Sequence, residues 1–496
     1  MVWTRRTLFL CAISSGLLQT ISALAQNTPI TSFTPGDLVV MRAGDATHSQ
    51  FDYSLGQVPA YLDEYTPSGT YVGTYAIPTD VLTLPGIGSE SHEGHLNISG
   101  NGQYITFAGY KQAIDPENAR VTDGSGTGDY YQVGQVSLNG VFTHSSLDTN
   151  VAYPQYMRAA YSNDGTQMWV ASKYNGVPTG SRFGGGLEYV ANFGTGSATT
   201  TALQFNSDWR TVQVVGGQLY GGTGSSSVGT HGFYSIGNGA PTNGSPTNTL
   251  LSNNSNNSTT AFSFTTPPGT QPINGVAGTP NVVYVTGDPS GSNFLGKLYS
   301  AGGTPLTTNN LTFASRLNLS SGMGSPEGLS VRIDPTNSSW VDIFLQTTTG
   351  VYSAIDKSGA SNADFGALQF TQIISSTSDT NFYGLALIPA AQPVLVGDVN
   401  HDGIVNGQDL ALVSSNWPHT GAGIVGDVNN DGIVNGQDIA LVSSNWLATG
   451  NGLGQAAAVP EPGSIVLALI ALVGCLLGQR ARDHRWPIVH NRSTRT

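Results

Sequence analysis

Two copies of one short segment contain the residues whose types and spacing most clearly indicate a chemical role. GDVNHDGIVNGQDLALVSSNW begins at Gly397 and GDVNNDGIVNGQDIALVSSNW at Gly426, and the copies differ at 2 of 21 positions. Oxygen-bearing side chains recur at loop positions 1, 3, 5, 9 and 12, with glycine at position 6 and a backbone carbonyl at position 7. Ca²⁺ takes about six to eight oxygen ligands of these kinds. The spacing therefore predicts two Ca²⁺ sites, with ligands Asp398, Asn400, Asp402, Ile404 (carbonyl), Asn406 and Asp409, and Asp427, Asn429, Asp431, Ile433 (carbonyl), Asn435 and Asp438.

The loop pattern is that of an EF-hand, apart from an aspartate at position 12 where glutamate is usual. Turns rich in Asn, Asp and Gly also form for local reasons, because their side chains bond the nearby backbone and tolerate unusual dihedral angles. A full ligand set that occurs twice favours the metal site over a simple turn.

A short amphipathic stretch follows each loop. Leu410, Val413 and Trp417 recur at helical spacing in the first copy. The second copy repeats this face with Ile439, Val442 and Trp446. One loop and its exit helix cannot bury this face alone. We therefore expect the two units to pack as an antiparallel pair around the two tryptophans, with the metals supplying much of the folding energy.

The paired GDVNxDGxVNxxD loops, each followed by one helix, resemble the type I dockerin family over residues 397–417 and 426–446. The resemblance implies a calcium-binding module, at 391–450, that docks on a cohesin-like β-sandwich of a scaffold protein, often within polysaccharide-degrading machinery. The family more often has Ser/Thr pairs and a Lys/Arg pair at the helix positions that select the partner. Those positions are occupied here by Gly407, Gln408, Ser414, Ser415, Gly436, Gln437, Ser443 and Ser444.

The N-terminus indicates export. Arg5 and Arg6 precede an apolar run that ends at Ala23-Leu24-Ala25. This order is typical of a secretory signal peptide, predicted at residues 1–25 with cleavage after Ala25.

The C-terminus carries a second targeting pattern. A linker at 451–463 ends in VPEPG, and the segment 464–496 begins with an apolar run followed by arginines. The run of about 15 residues is shorter than the roughly 20 of a stable membrane span. The pattern resembles the PEP-CTERM sorting signal of Gram-negative bacteria, which implies processing by an exosortase-type protease. We expect a protein of the cell envelope, outer surface or extracellular space, with a transient or retained C-terminal membrane anchor.

Cysteine usage and charge narrow the possible functions. Cys11 and Cys475 are the only cysteines, so residues 26–463 contain no disulfide and no Cys-based metal site or nucleophile. Seven of the 18 Lys and Arg residues lie in the terminal segments, which leaves 11 against about 30 acidic residues. A charge of roughly −19 on that region disfavours nucleic acid and anionic membranes as partners.

Residues 26–390 have the pattern of an all-β domain, with short β-rich runs separated by Gly, Asn, Asp and Pro turns. A weak repeat joins a small-residue inner strand to a stronger aromatic strand, with inner strands beginning near His95, Tyr156, Thr211, Ile273 and Glu327. We predict a mainly β fold, a six-bladed β-propeller in which FYGLALIP, at the end of this region, completes the N-terminal blade. Seven blades, a long β-solenoid or a twin sandwich are the alternatives.

No catalytic residue is predicted in this propeller. Glu90, His92, Glu93 and His95 could bind a metal or act as acid and base, but PEGLSVR occupies the equivalent place in another unit, which favours a structural repeat. The sequence thus favours an exported, calcium-binding surface protein whose propeller is a binding or structural domain. The alternative is a polysaccharide-degrading enzyme, a glycoside hydrolase or lyase, tethered through its dockerin. An acidic pair in the propeller channel would favour the enzyme, and a calcium module that is only a structural cap is also open.

Overall fold

The computed structural model describes two compact units, Met1–Ala391 and Gln392–Thr496. Within them it describes residues 28–448, except for 49–56, 86–92, 112–113, 115–130, 148–155, 174–184, 195, 205–207, 216, 225–230, 254–257, 266–281, 289–292, 301–310, 359–364, 377–380, 391–395, 400–404, 422–423 and 430. The predicted signal peptide, linker and sorting segment, together with Glu90 and His92, lie outside the described residues. No helix in the described part is long and apolar enough to cross a membrane.

The first unit is built almost entirely of strands. Its described strands are β1 (Leu38–Ala43), β2 (Gln57–Val58), β3 (Ala60–Tyr65), β4 (Tyr71–Ala76), β5 (Leu84–Pro85), β6 (Asn97–Ile98), β7 (Tyr104–Tyr110), β8 (Tyr131–Ser137), β9 (Phe142–Leu147), β10 (Tyr156–Tyr161), β11 (Met168–Lys173), β12 (Leu187–Val190), β13 (Gly196–Ala198), β14 (Thr200–Gln204), β15 (Trp209–Val215), β16 (Gln218–Thr223), β17 (Gly232–Ile236), β18 (Asn248–Asn253), β19 (Ser258–Thr265), β20 (Val282–Asp288), β21 (Phe294–Ser300), β22 (Leu311–Asn318), β23 (Pro326–Asp334), β24 (Asn337–Thr347), β25 (Gly350–Asp356), β26 (Thr371–Ser375) and β27 (Asn381–Leu387). Short 3-10 helices at Ser321–Met323 and Phe365–Ala367 interrupt them.

Six sheets form the blades of a β-propeller. From the inner strand outward, the blades are β27-β1-β3-β4, β6-β7-β8-β9 with β13 added, β10-β11-β12-β14, β15-β16-β17-β18, β19-β20-β21-β22 and β23-β24-β25-β26. The small pair β2-β5 lies beside them. Each inner strand contacts the inner strand of the next blade, from β27 through β6, β10, β15, β19 and β23 and back to β27. The ring of six blades confirms the predicted fold.

The ring closes where the two ends of the propeller sequence meet. β27 pairs antiparallel with β1, from Leu38 opposite Leu387 to Ala43 opposite Asn381. The C-terminal strand is thus the inner strand of the N-terminal blade, as predicted, and leaves no open sheet edge at the junction.

Face-to-face packing of the blades explains the continuous apolar runs. All six residues of β1 are buried, because both faces of its sheet are covered. On one side, Val39 and Met41 of blade one pack in a cluster with Ile105 and Phe107 of blade two. Such clusters between neighbouring blades make up the core of the propeller.

The fifth blade corrects one prediction. The inner strand was expected to begin near Ile273, but β20 pairs with β19, at Ser258–Thr265, as its inner neighbour. In blades two, three, four and six a short connection joins the inner strand to the next, as at Gly102 and Gly165, both with positive φ. In blade five the connection is longer, so the small-residue run closest in sequence was mistaken for the inner strand.

Candidate metal centre

Each of the two predicted calcium loops leads into a helix of the second unit. The helices are α1 (Gly407–Ser415) and α2 (Gly436–Ser444), and each begins with a capping box. In α2, the Asn435 side chain accepts a hydrogen bond from the backbone N–H of Gln437 at 2.8 Å, and Asp438 Oδ2 accepts from the N–H of Asn435 at 2.8 Å. These bonds satisfy N–H groups that have no partner within the helix. Asn406 and Asp409 repeat the arrangement at the start of α1.

The position 12 aspartate of each loop also holds the beginning of its loop. Asp438 Oδ1 accepts from the N–H groups of Val428 at 2.7 Å and Asn429 at 3.3 Å. Asp409 Oδ1 accepts from Val399 at 2.7 Å. Both aspartates are fully buried. One carboxylate therefore ties the first ligand segment of its loop to the first turn of its helix.

The second loop is folded around its own oxygen atoms. Asp427 accepts from the N–H groups of Asp431 at 3.1 Å and Gly432 at 2.8 Å, and Asp431 accepts from Ile433 at 2.9 Å. Asn429 accepts from Asp431 N–H at 3.0 Å. Gly432, at position 6, has a φ of +83°, the left-handed conformation that glycine adopts at no steric cost. The sharp turn predicted at this position is present.

The structure brings these oxygen groups together as a hydrogen-bonded loop. Within the described residues, no three Asp, Glu, His or Cys side chains converge on one point. The donor set nevertheless fits a hard cation, because carboxylate, amide and carbonyl oxygens are all supplied by one loop. In the first loop, Asn400, Asp402 and Ile404 lie outside the described residues. Asp409 is buried like Asp438, and Asp398 is buried whereas Asp427 is half-buried.

A small core joins the two repeats. It consists of four fully buried valines, Val405, Val413, Val434 and Val442. The repeats also exchange backbone bonds: the N–H of Leu447, after α2, donates to the carbonyl of Val405 at 2.8 Å, and Val434 N–H donates to His419, after α1, at 3.0 Å. Each repeat thus supplies core residues and backbone hydrogen-bond acceptors to the other.

The two tryptophans do not form this core, which overturns the expectation that the pair packs around them. Trp417 is 46% exposed and Trp446 42% exposed. The helices end at Ser415 and Ser444, so both tryptophans lie beyond the helical spacing that placed them on the buried face. Each ring instead reaches the first residue of the other helix, Trp446 near Gly407 and Trp417 near Gly436.

The eight positions predicted to select a partner are all exposed. They lie at the starts and ends of the two helices: Gly407, Gln408, Ser414, Ser415, Gly436, Gln437, Ser443 and Ser444. The Ser415 and Ser444 hydroxyls donate to carbonyls of their own helices, at 2.9 and 3.0 Å. The repeats therefore present equivalent surfaces.

The central cavity of the propeller offers no acidic pair. It has a volume of about 270 Å³ and is lined by inner strands of five blades. Its described lining contains no Asp or Glu, and His95 is its one titratable side chain. Glu93 is buried next to Tyr110, whose hydroxyl donates to it. Asp334 accepts from the N–H of Thr336 at 2.6 Å, a bond that stabilises the turn between β23 and β24.

Sequence reasoning missed the buried charges of the propeller. Their partners are far apart in the chain, by 21, 50 and 59 residues, so no local motif reveals them. Three buried ion pairs among the described residues are Arg42 with Asp63 at 2.5 Å, Arg158 with Asp208 at 3.3 Å and Lys297 with Asp356 at 2.5 Å. The available signal was the rarity of lysine, since Lys297 is one of four in the chain and stands within a strand-forming run.

A comparison with known families finds a match to part of the second unit. Residues 396–443 match the dockerin type I domain. This segment is a dockerin type I domain. Dockerin domains of this type bind calcium and typically bind cohesin scaffolds, and they are characteristic of extracellular or cell-surface proteins.

The propeller resembles solved structures only distantly. A candidate 6-phosphogluconolactonase from Bacteroides fragilis NCTC 9343 is 8% identical, with a TM-score of 0.36, over 71% of this chain and 98% of that one. The Nup133 β-propeller domain of Vanderwaltozyma polyspora is 10% identical, with a TM-score of 0.32, over 66% and 86% of the two chains. No curated protein matches the chain. These similarities carry no inference about activity.

Proposed function

We propose that this chain is an exported, calcium-binding surface protein whose dockerin domain docks to a protein scaffold and whose propeller is a binding or structural domain. The observation that supports it is the duplicated loop-helix unit. In both copies a buried aspartate joins the loop to the helix start, and the equivalent helix positions are exposed.

The dockerin holds two Ca²⁺ ions in this proposal. The twelve oxygen donors predicted from the sequence are the ligands, six in each loop. Asp438 and Asp409 couple binding to helix order, because each bonds backbone N–H groups of both elements. The cations supply folding energy to a domain whose apolar core is only four valines and their half-buried neighbours.

A calcium titration of the full chain tests the metal sites. We expect two Ca²⁺ per chain, and one in each of the variants Asp398→Ala and Asp427→Ala. His401→Asn is the matched control, since it installs the second copy's residue at a non-ligand position and should leave two sites. A wild-type chain that binds no calcium, or an Asp427→Ala chain that still binds two ions, would contradict the proposal.

The docking partner is a cohesin-like scaffold protein, which contacts the eight exposed helix positions. The full chain as bait should capture a protein with a β-sandwich module in calcium and release it in chelator. Ser414→Arg with Ser443→Arg should abolish capture without changing calcium binding. Ala411→Arg with Ala440→Arg, exposed on the same helices but outside the predicted positions, is the control. Equal capture by both variants would show that another surface binds.

Export and anchoring complete the proposal. The signal peptide directs secretion, and an exosortase-type protease processes the VPEPG segment at the cell envelope. Mass analysis of the protein from its native host should find termini near Ala25 and near residue 463. A surface polysaccharide is a further partner open to the propeller, whereas no observation in the described residues favours the hydrolase or lyase alternative.

A further inference from the structure

A buried lysine-aspartate pair lies between blades five and six of the propeller. Lys297 lies in β21 and Asp356 at the end of β25, and both side chains are 0% exposed. The distance from Lys297 Nζ to Asp356 Oδ2 is 2.5 Å. An ammonium and a carboxylate held together away from water can exchange a proton and become a neutral amine beside a neutral acid.

The two oxygens of Asp356 have different surroundings. Oδ1 accepts from the backbone N–H of Ser358 at 2.9 Å and from its hydroxyl. Oδ2 accepts from the Tyr284 hydroxyl at 2.7 Å and from Lys297. The donors on Oδ1 are placed as in an oxyanion hole, where they stabilise negative charge that develops during attack on the carboxyl carbon. The donors on Oδ2 are placed to protonate an oxygen that leaves.

Aromatic rings shield the pair. Lys297 Nζ lies 5.6 Å from the ring centre of Tyr284 and 5.9 Å from that of Phe365, which is fully buried. Burial lowers the pKa of Lys297, because the loss of hydration outweighs the attraction of Asp356. Burial alone would raise the pKa of Asp356, but hydrogen bonds from Lys297 and Ser358 lower it overall, so the ion pair is the resting form and the neutral pair is the minor form that reacts. Burial also raises the pKa of Tyr284 well above its ordinary value, so its hydroxyl keeps its proton and serves as a donor.

We propose that Lys297 and Asp356 condense into an intramolecular isopeptide bond that joins blade five to blade six. One proton passes from Nζ to Oδ2. The Nζ lone pair then forms a bond to Cγ, and the carbonyl π electrons move to Oδ1, where the two Ser358 donors bind them. A second proton passes from Nζ to Oδ2, the electron pair on Oδ1 re-forms the carbonyl, the Cγ–Oδ2 bond breaks, and one water molecule leaves. The products are an amide and water, with no oxidant or other co-reactant.

The proximity of the two groups and the exclusion of water favour the condensation. The reacting groups are held in one position by two adjacent blades, which removes the entropic cost of bringing them together. Exclusion of water from the pair also opposes hydrolysis of the product. The bond would constrain a region that has no cysteine and therefore no disulfide.

Peptide mapping of the purified full chain tests the proposal. Complete tryptic digestion after denaturation releases peptides 298–316 and 333–357 from an unlinked chain. The isopeptide blocks cleavage after Lys297 and joins residues 211–316 to 333–357, with a mass lower than the sum by one water. We expect this linked species and a matching loss of the two free peptides. Recovery of both peptides in full, with no linked species, would show that the pair is an ion pair only and overturn the proposal.

Two variants separate chemistry from folding. Lys297→Arg keeps a cation opposite Asp356 but should give only the unlinked pattern. Ser358→Ala removes the hydroxyl on Oδ1 while keeping the N–H, and should lower the linked fraction in samples taken soon after synthesis. A linked species that persists in Lys297→Arg would mean that another residue forms the bond. The wild-type map decides the question even if either variant fails to fold.

Discussion

Asp438 connects the loop of the second repeat to the start of its helix. It is fully buried, and its two oxygens accept three backbone N–H groups, from Val428, Asn429 and Asn435. Asp438→Asn preserves the shape but replaces one of these oxygens with an NH₂ group. A donor then faces a backbone donor, so at least one buried N–H loses its acceptor.

The expected loss follows from the type of bond. A hydrogen bond to a charged group contributes about 1.5–3 kcal/mol. Every 1.4 kcal/mol corresponds to about a tenfold change in an equilibrium constant. The opening equilibrium of this repeat should therefore increase about 10- to 150-fold. Hydrogen exchange measured by mass spectrometry on peptides covering 427–448 should accelerate by that factor.

The exchange experiment is performed on the full chain, both in chelator and in saturating calcium. The ratio in chelator reports the hydrogen bonds alone, and the ratio in calcium adds the loss of a ligand. Asp431→Asn is the control, because that exposed side chain holds a single backbone N–H, of Ile433. Equal exchange rates for wild type and Asp438→Asn in chelator would refute the argument that these bonds order the helix start.

Three further predictions concern packing and pH. Val413→Ala should lower the unfolding free energy of the dockerin domain by about 2 kcal/mol, because the valine is fully buried and the lost methyl groups would leave a cavity. Calcium-saturated thermal unfolding measures this loss, and an unchanged unfolding free energy would remove Val413 from the core. Gly426→Ala should be destabilising by more than about 1 kcal/mol, since φ is +97° and a Cβ would lie 3.0 Å from Val413 Cα. Gly407→Ala should be tolerated, because its Cβ would meet only the Trp446 ring, at an ordinary contact distance of 3.9 Å. Equal melting temperatures for the two variants would contradict this. Burial alone would raise the pKa of Asp45, but hydrogen bonds from Tyr61, His48 and Thr47 lower it overall. This stabilisation is present above the ordinary aspartate pKa of about 3.9 and is lost as the pH falls through the lower folded value. When the unfolding free energy of the propeller is measured as a function of pH, Asp45→Asn should therefore lose less stability than the wild type as the pH falls. An equal loss in both proteins would show that Asp45 does not contribute to the acid sensitivity.

Local patterns predicted much of this protein. The EF-hand-like spacing, the glycine at position 6 and the helix after each loop all concern residues that are close together in the chain. At such short separations, backbone geometry and the reach of the side chains decide the structure. The six blades and their closure were also predictable, because a strand left over at each end of a repeat has one natural partner. The fifth blade was predicted less well, since a longer connection separates its first two strands.

By itself, the sequence determined the loop chemistry, the dockerin resemblance and the propeller class, because each is encoded in short spacings or in a repeated pattern. Only the tertiary structure decided which apolar residues form the dockerin core, and it chose four valines over two tryptophans that lie past the helix ends. It also decided that no described carboxylate lines the propeller cavity, and that Lys297 meets Asp356 across 59 residues of chain. Contacts of this kind depend on how separate elements pack, and neither composition nor spacing along the chain contains that information.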